Sequence, residues 1–394
     1  MSEYCIGIDS FDTPLAGCTT HAASLLIIEA TKRGIKLTDY PVLVRLNPTI
    51  PWKTRGNGAV ALRLKTTNVD DVIKAIDYVL KEYAYGSTKA SVIVIDCRKL
   101  YEPCIHKLYR KALTSLVLFN EAKECLDKLP LVYTLGETRR GVIGALASLK
   151  ALESLQDYTY ELITYYHPDE WGHERVVDEA SVISFDLAYK PYTFLNYDYK
   201  NKRILITPHG NDPVLYGVRG EDAGIVARAL KIIKTNNRIT HWQIFKTNQA
   251  TNEHLVRKNI KALRPYDNAL VNAVIEDITI LPGSHTLLKI SDEAKDAWAI
   301  AFRETGGLRR ALQVLKIGSQ VVIGGAVKKH NNKLTINIEL VMIKIDNTLL
   351  EAYTKLAYYA DHVKRGQWLI LLPDPSAFHH LMMPWERYII RGFH

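Results

Sequence analysis

The stretch GIDSFDTPLAGCTTH, residues 7–21, joins the first predicted strand of the chain to its first predicted helix. The segment YCIGI (4–8) before it has the β-branched character of a buried strand. The segment TTHAASLLIIEATKRG (19–34) after it opens with threonines, which cap helices well, and ends at a glycine, which is common just past a helix end. The stretch therefore predicts a strand-to-helix connection that opens a mixed α/β fold.

The polar residues of this connection allow two interpretations. Asp9 and Asp12 follow the strand, and Thr19 and Thr20 lie at the helix N-terminus. Carboxylate oxygens can hold magnesium, and the free N–H groups of a helix N-terminus can bind a phosphate. The same residues also suit an ordinary turn, in which the aspartates form Asx turns and the threonines cap the helix. The stretch alone does not decide between a phosphate site and a turn.

Alternation of strands and helices continues through the first part of the chain and predicts one α/β domain over residues 1–155. Strands are expected at 41–46, 58–65 and 91–96, and helices at 68–86 and 139–154. A second domain, 156–262, is predicted to be ferredoxin-like, a small sheet with helices on one face. Its predicted elements are strands at 158–166, 203–208 and 240–247 and a helix at 221–234.

After Pro265 the pattern changes to five short strands with one helical stretch, LRRALQVLK, before the fourth. This order favours an OB-fold barrel over residues 263–347, a fold that often binds nucleic acid. A short C-terminal segment, 348–394, is expected to hold a helix and a tail with aromatic and basic residues. The fold class is therefore predicted as α+β multidomain.

Composition limits the class of protein further. Lys and Arg number 51 against 42 Asp and Glu, and the resulting charge of +9 suits a polyanionic partner such as nucleic acid. Neither a membrane span nor a secretory signal is visible, so we expect a cytoplasmic location and no membrane partner. The five cysteines include no C-x-x-C pair, so we expect buried thiols and neither a disulfide framework nor a thiolate zinc ribbon.

Two further stretches have residues suited to a nucleotide. In RLNPTIPWKTRGNGAV (45–60), Lys53 and Arg55 flank the turn Gly56, Asn57 and Gly58, which could hold a triphosphate or could form a plain hairpin with surface basic residues. In ETRRGVIGAL (137–146), Arg140 and Gly141 precede a helix N-terminus, an arrangement that suits an anion or a close helix contact.

Two more stretches have residues suited to an amine or an RNA. The segment 196–222 contains Asp198, His209, Asp212 and Arg219 among tyrosines, which fits a cationic ligand or an RNA loop stacked on aromatic rings, but also loop packing. The segment 241–254 ends a strand in Lys246, Asn248 and Gln249, which offer donors and acceptors to phosphates or base edges, or form a polar turn. No Ser-His-Asp order, HExxH or Rossmann glycine pattern supports a hydrolase, zinc protease or dehydrogenase.

Taken together, these segments resemble the archaeal tRNA-isoleucine agmatinylcytidine (agmatidine) synthetases. The matching segments run in the family's order along nearly the whole chain: GIDSFDTPLAGCTT, RLNPTIPWKTRGNGAV, RRGVIGALA, YDYKNKRILITPHGNDPVLYGVRGE, WQIFKTNQATNEHL and SAFHHLMMPWERY. The resemblance implies a kinase-like, a ferredoxin-like and an OB domain followed by a zinc ribbon. It also implies an ATP- and magnesium-dependent ligase that activates the wobble cytidine of an isoleucine tRNA at its 2-carbonyl oxygen, where agmatine then displaces the phosphate.

The resemblance assigns roles to individual residues. Asp9 and Asp12 would hold the metal, and Thr19 would be the threonine near the transferred phosphate that the family phosphorylates on itself. The segments KTRGNG (53–58) and RRG (139–141) would surround the nucleotide. Phosphoryl transfer depends mainly on positioning and on neutralising charge, which these residues can supply.

The chain departs from the family pattern at two important places. Ser10 stands where the family has the second of two paired aspartates, and the ribbon cysteines are absent, so no zinc is expected. The alternative is therefore that this chain is a relative of the synthetases that binds RNA or nucleotide without making agmatidine, or that uses another amine or RNA.

Overall fold

The computed structural model describes residues 1–12, 17–83, 89–330 and 333–391, and these form 20 strands and 11 α-helices. The strands are β1 (Ser2–Asp9), β2 (Lys36–Leu37), β3 (Val42–Arg45), β4 (Gly58–Thr66), β5 (Ser91–Asp96), β6 (Leu131–Leu135), β7 (Thr159–Tyr166), β8 (Thr193–Phe194), β9 (Tyr197–Asp198), β10 (Arg203–Ile204), β11 (Val214–Gly220), β12 (Ile239–Thr247), β13 (Val256–Arg257), β14 (Asn268–Leu281), β15 (His285–Ser291), β16 (Asp296–Ala301), β17 (Gln320–His330), β18 (Lys333–Lys344), β19 (Asp361–Arg365) and β20 (Trp368–Leu372). The helices are α1 (Thr19–Lys32), α2 (Val69–Tyr83), α3 (Pro103–Thr114), α4 (Phe119–Leu126), α5 (Gly141–Ser154), α6 (Glu179–Tyr189), α7 (Ala223–Ala227), α8 (Ala229–Ile232), α9 (Gly307–Leu312), α10 (Asn347–Tyr359) and α11 (Trp385–Arg391).

Strand β1 lies in the middle of the first part of the sheet, antiparallel to both β4 and β5. Its side chains alternate between two cores because successive residues of a strand point to opposite faces. Ile6 and Ile8 pack with helices α1 and α2, whereas Cys5 packs with α3, α4 and α5. Burial on both faces explains why β1 and β5 are almost continuously apolar in sequence.

One ten-stranded sheet continues across the predicted boundary at residues 155 and 156. Its order is β6-β5-β1-β4-β3-β12-β7-β11-β8, with β2 paired to β4. The connection is a parallel pairing of β3 with β12, in which Val42 faces Lys246. Asn248 secures it, because its Oδ1 accepts the Arg45 N–H at 2.8 Å and its Nδ2 donates to the Arg45 carbonyl at 3.0 Å.

Two predicted elements of the second α/β part differ in the structure. The predicted helix 221–234 is two short helices, α7 and α8, which meet at Arg228. Of the predicted strand 203–208, only Arg203 and Ile204 are extended, and they pair with β9 outside the large sheet. Helix α6 was not predicted, and residues 84–86 of the predicted helix 68–86 lie outside the described part of the chain.

Strands β14 to β18 close a barrel, in which the order of neighbours is β14-β15-β16-β18-β17 and back to β14. Only the β16 to β18 pairing is parallel among the described pairings of this barrel, and α9 lies between β16 and β17 in the chain. This topology confirms the predicted OB-fold barrel within a mixed α and β chain.

The C-terminal segment adds more structure than expected, since β20 and β19 extend the barrel sheet from β18. Its last helix, α11, is fixed to the second α/β part by Arg387, which is fully buried. The guanidinium group of Arg387 pairs with Asp157 at 2.7 Å and with Glu221, and it donates to the Ala250 carbonyl at 2.6 Å.

The cysteine prediction was wrong, because the structure contains the disulfides Cys5–Cys97 and Cys104–Cys125. The β1 to β5 ladder brings Cys5 beside the end of β5, so residues 92 positions apart in the chain become neighbours. Spacing along the sequence does not reveal such a pair. Cys18 is a free thiol.

Among the described residues, no helix is both long enough and apolar enough to cross a membrane.

Candidate active site

A cavity of about 730 Å³ opens where the two α/β parts, the barrel and the C-terminal segment meet. Ten of the residues singled out in the sequence contribute to its lining: Asp12, Thr19, Thr20, Lys53, Arg55, Gly56, Gly58, His209, Asp212 and Arg219. Stretches that are far apart in the chain therefore share one site.

Arg55 joins two of the predicted carboxylates at the edge of this cavity. Its guanidinium group lies 3.3 Å from Asp12 and 3.4 Å from Asp212, and it donates to the Gly17 carbonyl. Thr54 donates a hydrogen bond to Asp12 at 3.0 Å, and Arg175 pairs with Asp212 at 3.1 Å. Burial nevertheless raises the pKa of Asp212, although both arginines oppose that shift.

Thr19 is the first residue of helix α1, and the predicted threonine cap was wrong. Cys18 is the N-cap residue, and no side chain caps the helix. The Thr19 hydroxyl instead accepts a hydrogen bond from the Phe11 N–H at 3.4 Å, so it faces the residues that follow β1. Burial, followed by the charges of Asp12 and Asp212, raises the pKa of the Cys18 thiol to about 11, so Cys18 is not a reactive thiolate.

Asp9 is the last residue of β1 and lies against the first turn of helix α5. Its carboxylate Oδ2 would be only 2.0 Å from a Cβ on Gly144, so glycine is required there for the close approach. Burial, and then the charge of Asp12, raises the pKa of Asp9 to about 8. A buried carboxylate next to a second one is a donor set that a hard divalent cation such as Mg²⁺ would fit, since the cation would remove this unfavourable charge.

The same contact explains how the first and third motifs meet. Ser10 adopts a left-handed backbone conformation with φ of 64°, and its N–H donates to Asp9. A Cβ on Gly141 would lie 3.0 Å from the Ser10 hydroxyl oxygen. Ser10 therefore occupies the space between Asp9 and the N-terminus of α5.

The KTRGNG turn is held by backbone contacts. Arg55 and Asn57 both have positive φ values, and Asn57 donates to the Asn47 carbonyl at 2.8 Å. Lys53 donates to the Arg55 carbonyl at 2.7 Å, and burial together with Lys328 lowers the pKa of its amine. A Cβ on Gly56 would lie 2.6 Å from the Arg45 guanidinium, so the turn can approach that side chain closely.

Arg140 lies outside the cavity lining, over the exposed ring of Trp52 at 4.6 Å. Trp52 directly precedes Lys53 in the chain. Its contact with Arg140 therefore places a third basic residue near Lys53 and Arg55 of the KTRGNG turn. Stacking of a guanidinium on an aromatic ring leaves its N–H groups available to an anion.

A charged group on the cavity wall that includes Arg45 and Glu161 was not predicted from the sequence. Glu161 accepts from Arg219 at 3.1 Å and from Gln249, and it lies 3.9 Å from Arg45. Glu161 is buried in the middle of β7. An acidic residue within the otherwise apolar run YELITYY was a signal that could have identified it.

Eight predicted site residues do not line the cavity among the described residues: Asp9, Asn57, Arg140, Gly141, Asp198, Lys246, Asn248 and Gln249. Asp198 accepts hydrogen bonds from Asn201 and from the Ser376 N–H, and these outweigh burial and lower its pKa. Lys246 lies 4.1 Å above the ring of Tyr158. Asn248 and Gln249 support the wall residues Arg45 and Glu161.

The family models and the relatives that match this chain place it in a class of enzymes that act on tRNA. Residues 5–77 match the model of the TiaS TCKD domain, and residues 139–254 match that of the TiaS FLD domain. The chain belongs to the TiaS family, the 2-agmatinylcytidine synthetases that act on an isoleucine tRNA. It is 46% identical to the member from Hyperthermus butylicus over 97% of this chain and 92% of that protein. It is 37% identical to the member from Pyrococcus horikoshii over 85% of this chain and 79% of that protein.

Solved structures agree with this assignment. The crystal structure of apo TiaS is 27% identical, with a TM-score of 0.83 over 100% of this chain and 99% of that one. The crystal structure of TiaS in complex with its isoleucine tRNA, AMPCPP and agmatine gives the same TM-score at 26% identity, with the same coverage of both chains.

Proposed function

We propose that this chain joins agmatine to the wobble cytidine of an isoleucine tRNA at the expense of ATP, and that it does so in the cytoplasm. The observation that carries this proposal is the shared cavity. Basic residues of the KTRGNG turn and of β11 face carboxylates from three separate stretches there, so one cavity offers groups for an anion and for a cation. Family membership supplies the identity of the substrates.

Asp9 and Asp12 are proposed to hold magnesium. Their carboxylates are the ligands that Mg²⁺ prefers, and the raised pKa of Asp9 means that ionising this buried carboxyl group is unfavourable without a cation beside it. When bound, the ion neutralises charge that develops on the transferred phosphate. Gly144 keeps Asp9 in place by leaving room for its carboxylate.

The nucleotide is proposed to bind along the KTRGNG turn and the N-terminus of α5. Lys53 and Arg55 neutralise phosphate charge, while Gly56, Asn57 and Gly58 shape the turn. Arg140 and Gly141 contribute the positive end of helix α5. Thr19 is proposed as the hydroxyl that receives a phosphate, since it is buried at the start of α1 and faces the residues after β1.

The amine and the RNA are proposed to enter from the side of β11. Asp212 provides a carboxylate for the cationic amine, and His209 and Arg219 face the RNA. In the reaction the 2-carbonyl oxygen of the base first takes a phosphoryl group that originates in ATP. A bond then forms between the agmatine nitrogen and C2 with loss of a proton from the amine, and the C2–O bond breaks as the oxygen leaves within that phosphate. Asn248 and Gln249 act indirectly by holding Arg45 and Glu161, and Asp198 by holding the cavity residue Ser376. Lys246, over the ring of Tyr158, is proposed to contact the RNA outside the cavity.

The test is incubation of the purified chain with ATP, Mg²⁺, radiolabelled agmatine and an isoleucine tRNA transcript, followed by nuclease digestion and mass spectrometry of the nucleosides. We expect label at the wobble cytidine and none in a control transcript with another base at that position. Absence of label, with ATP and tRNA binding intact, would favour the alternative function of binding without synthesis. If the same assay with a different labelled amine gives label at this cytidine and agmatine does not, the amine substrate is another one but the class of reaction is unchanged.

A further inference from the structure

A cluster of two histidines and one glutamate lies on the barrel side of the cavity. His254 follows β12, Glu339 is in β18, and His379 is in the C-terminal segment, so three parts of the chain contribute one residue each. The Nε2 atoms of His254 and His379 lie 2.7 and 2.9 Å from the same carboxylate oxygen, Glu339 Oε2. One ligand atom from each of the three residues can be chosen so that all three lie within 4.8 Å of one another.

Hydrogen bonds account for only part of this cluster. His254 Nε2 makes a hydrogen bond with Glu339, but the His379 Nε2 contact does not have hydrogen-bond geometry. His254 Nδ1 is also buried without a partner. Within the described part of the chain, no lysine or arginine forms an ion pair with Glu339. The cluster therefore combines a buried carboxylate with two imidazole nitrogens that lack hydrogen-bond partners, a set of groups that a metal cation could satisfy.

We propose that His254, Glu339 and His379 bind one divalent transition-metal ion, for which Zn²⁺ is the best fit. Two imidazole nitrogens and one carboxylate oxygen are a known zinc ligand set that leaves a fourth position open. Glu339 and His379 line the cavity, so that open position faces the space where the substrates are proposed to bind. This site is independent of a cysteine ribbon and does not rest on the proposed function.

Metal binding requires two local changes. Zinc bonds of about 2.0–2.1 Å in a tetrahedral site keep ligand atoms about 3.3 Å apart, so the observed contacts would open by about 0.5 Å. His379 Nδ1 now accepts the Leu381 N–H at 3.2 Å, so the ring proton lies on Nε2. Binding through Nε2 moves this proton to Nδ1, and the turn at residues 379–381 shifts to release Leu381.

The experiment uses the untagged full chain, freed of metal with a chelator and then titrated with Co²⁺ in excess Mg²⁺. Magnesium occupies oxygen sites such as the one proposed at Asp9 and Asp12, but it competes poorly for imidazole. We expect one Co²⁺ per chain, with the visible absorption of a tetrahedral site that contains no thiolate, and displacement of Co²⁺ by Zn²⁺. A chain that binds no Co²⁺ would overturn the proposal and leave the cluster as a metal-free contact between three parts of the fold.

Variants assign the binding to these residues. His379→Ala and Glu339→Gln should each weaken Co²⁺ binding at least 100-fold, whereas His106→Ala, an exposed histidine on α3, should leave it unchanged. Unchanged affinity in both cluster variants would overturn the assignment. If a cluster variant does not fold, NMR of the wild-type chain loaded with Co²⁺ tests the site instead. Paramagnetic shifts of the imidazole resonances of two histidines support the site, and shifts of none or one refute it.

Discussion

Gly144 lies against the carboxylate of Asp9 so closely that a Cβ on the glycine would be 2.0 Å from Asp9 Oδ2. Strand β1 is close to helix α5 along its length, since a Cβ on Gly7 would lie 1.9 Å from the Ala145 carbonyl oxygen. The position of the proposed magnesium ligand therefore depends on the absence of a side chain in the first turn of a neighbouring helix.

Gly144→Ala should displace Asp9 and reduce agmatine incorporation by roughly 100-fold, the loss expected when a reacting group moves by about 1 Å. Alanine favours a helix over glycine by about 1 kcal/mol, so helix content should not fall. Steady-state incorporation and far-ultraviolet circular dichroism check the two expectations. Activity close to wild type would show that Asp9 can move without consequence and would remove it from the metal site.

Arg55→Ala should leave Asp12 and Asp212 without the cation that now lies between them, at 3.3 and 3.4 Å. We expect the KM for ATP to rise at least 10-fold. Arg55→Lys should recover only part of the loss, because an ammonium group cannot match the planar fork of a guanidinium. Arg228→Ala, at an exposed arginine between α7 and α8, is the control. Equal KM values for Arg55→Ala and the control would contradict the role of Arg55.

Thr19→Ala should abolish transfer of phosphate from ATP to the protein, whereas Thr19→Ser should retain it because the hydroxyl is preserved. The lost hydrogen bond with Phe11 is worth about 1 kcal/mol, so the chain should still fold. Labelling with ATP that carries radioactive phosphate, followed by peptide mapping, is the measurement. Wild-type labelling of Thr19→Ala would refute the assignment of this threonine.

The two disulfides should stabilise the chain by different amounts. Cys5–Cys97 closes a loop of 92 residues, and Cys104–Cys125 closes one of 21 residues. Chain entropy predicts a contribution about 1 kcal/mol larger for the longer loop. Thermal unfolding of Cys5→Ala/Cys97→Ala and Cys104→Ala/Cys125→Ala double variants compares them directly. A smaller effect for the Cys5 pair would show that loop length does not govern the difference.

Glu386 should make stability depend on pH. Its carboxylate is buried with one unpartnered oxygen, and burial raises its pKa to about 7 although Lys190 lies 3.3 Å away. The folded chain therefore holds a proton that the unfolded chain loses above its ordinary pKa of 4.5, so stability falls as pH rises from about 4.5 to 7.

Glu386→Gln should remove this dependence of the free energy of unfolding on pH. The free energy of unfolding of the variant minus that of wild type should therefore rise by up to about 3 kcal/mol as the pH goes from 4 to 8. Urea unfolding at several pH values is the measurement. A constant difference between the two proteins across that range would mean that folding does not shift the pKa of Glu386.

The sequence predicted elements whose signals are local. Strand β1, helix α5 and the barrel strands follow from β-branched runs, glycine positions and helical periodicity. Contacts between distant segments were not predictable in this way. The β3 to β12 pairing, the Cys5–Cys97 bond and the burial of Arg387 all depend on which parts of the chain come together in space.

The site shows the same division. The stretches that contain Asp12, Arg55 and Asp212 were recognised separately, because each has polar residues at a turn or a strand end. Asn248 looked like a ligand in sequence and proved to be a link between strands, since a buried amide that pairs with a backbone leaves no sign of that use in the sequence.

The shared sheet also limits how substrates can enter. Because β3 and β12 form one ladder, the two α/β parts cannot separate as hinged lobes without breaking backbone hydrogen bonds. Asn47 adds a buried link to the barrel, accepting from Asn268 at 2.8 Å and donating to the Tyr266 carbonyl at 2.8 Å. Substrate binding is therefore expected to leave the two α/β parts and the barrel in fixed positions relative to one another.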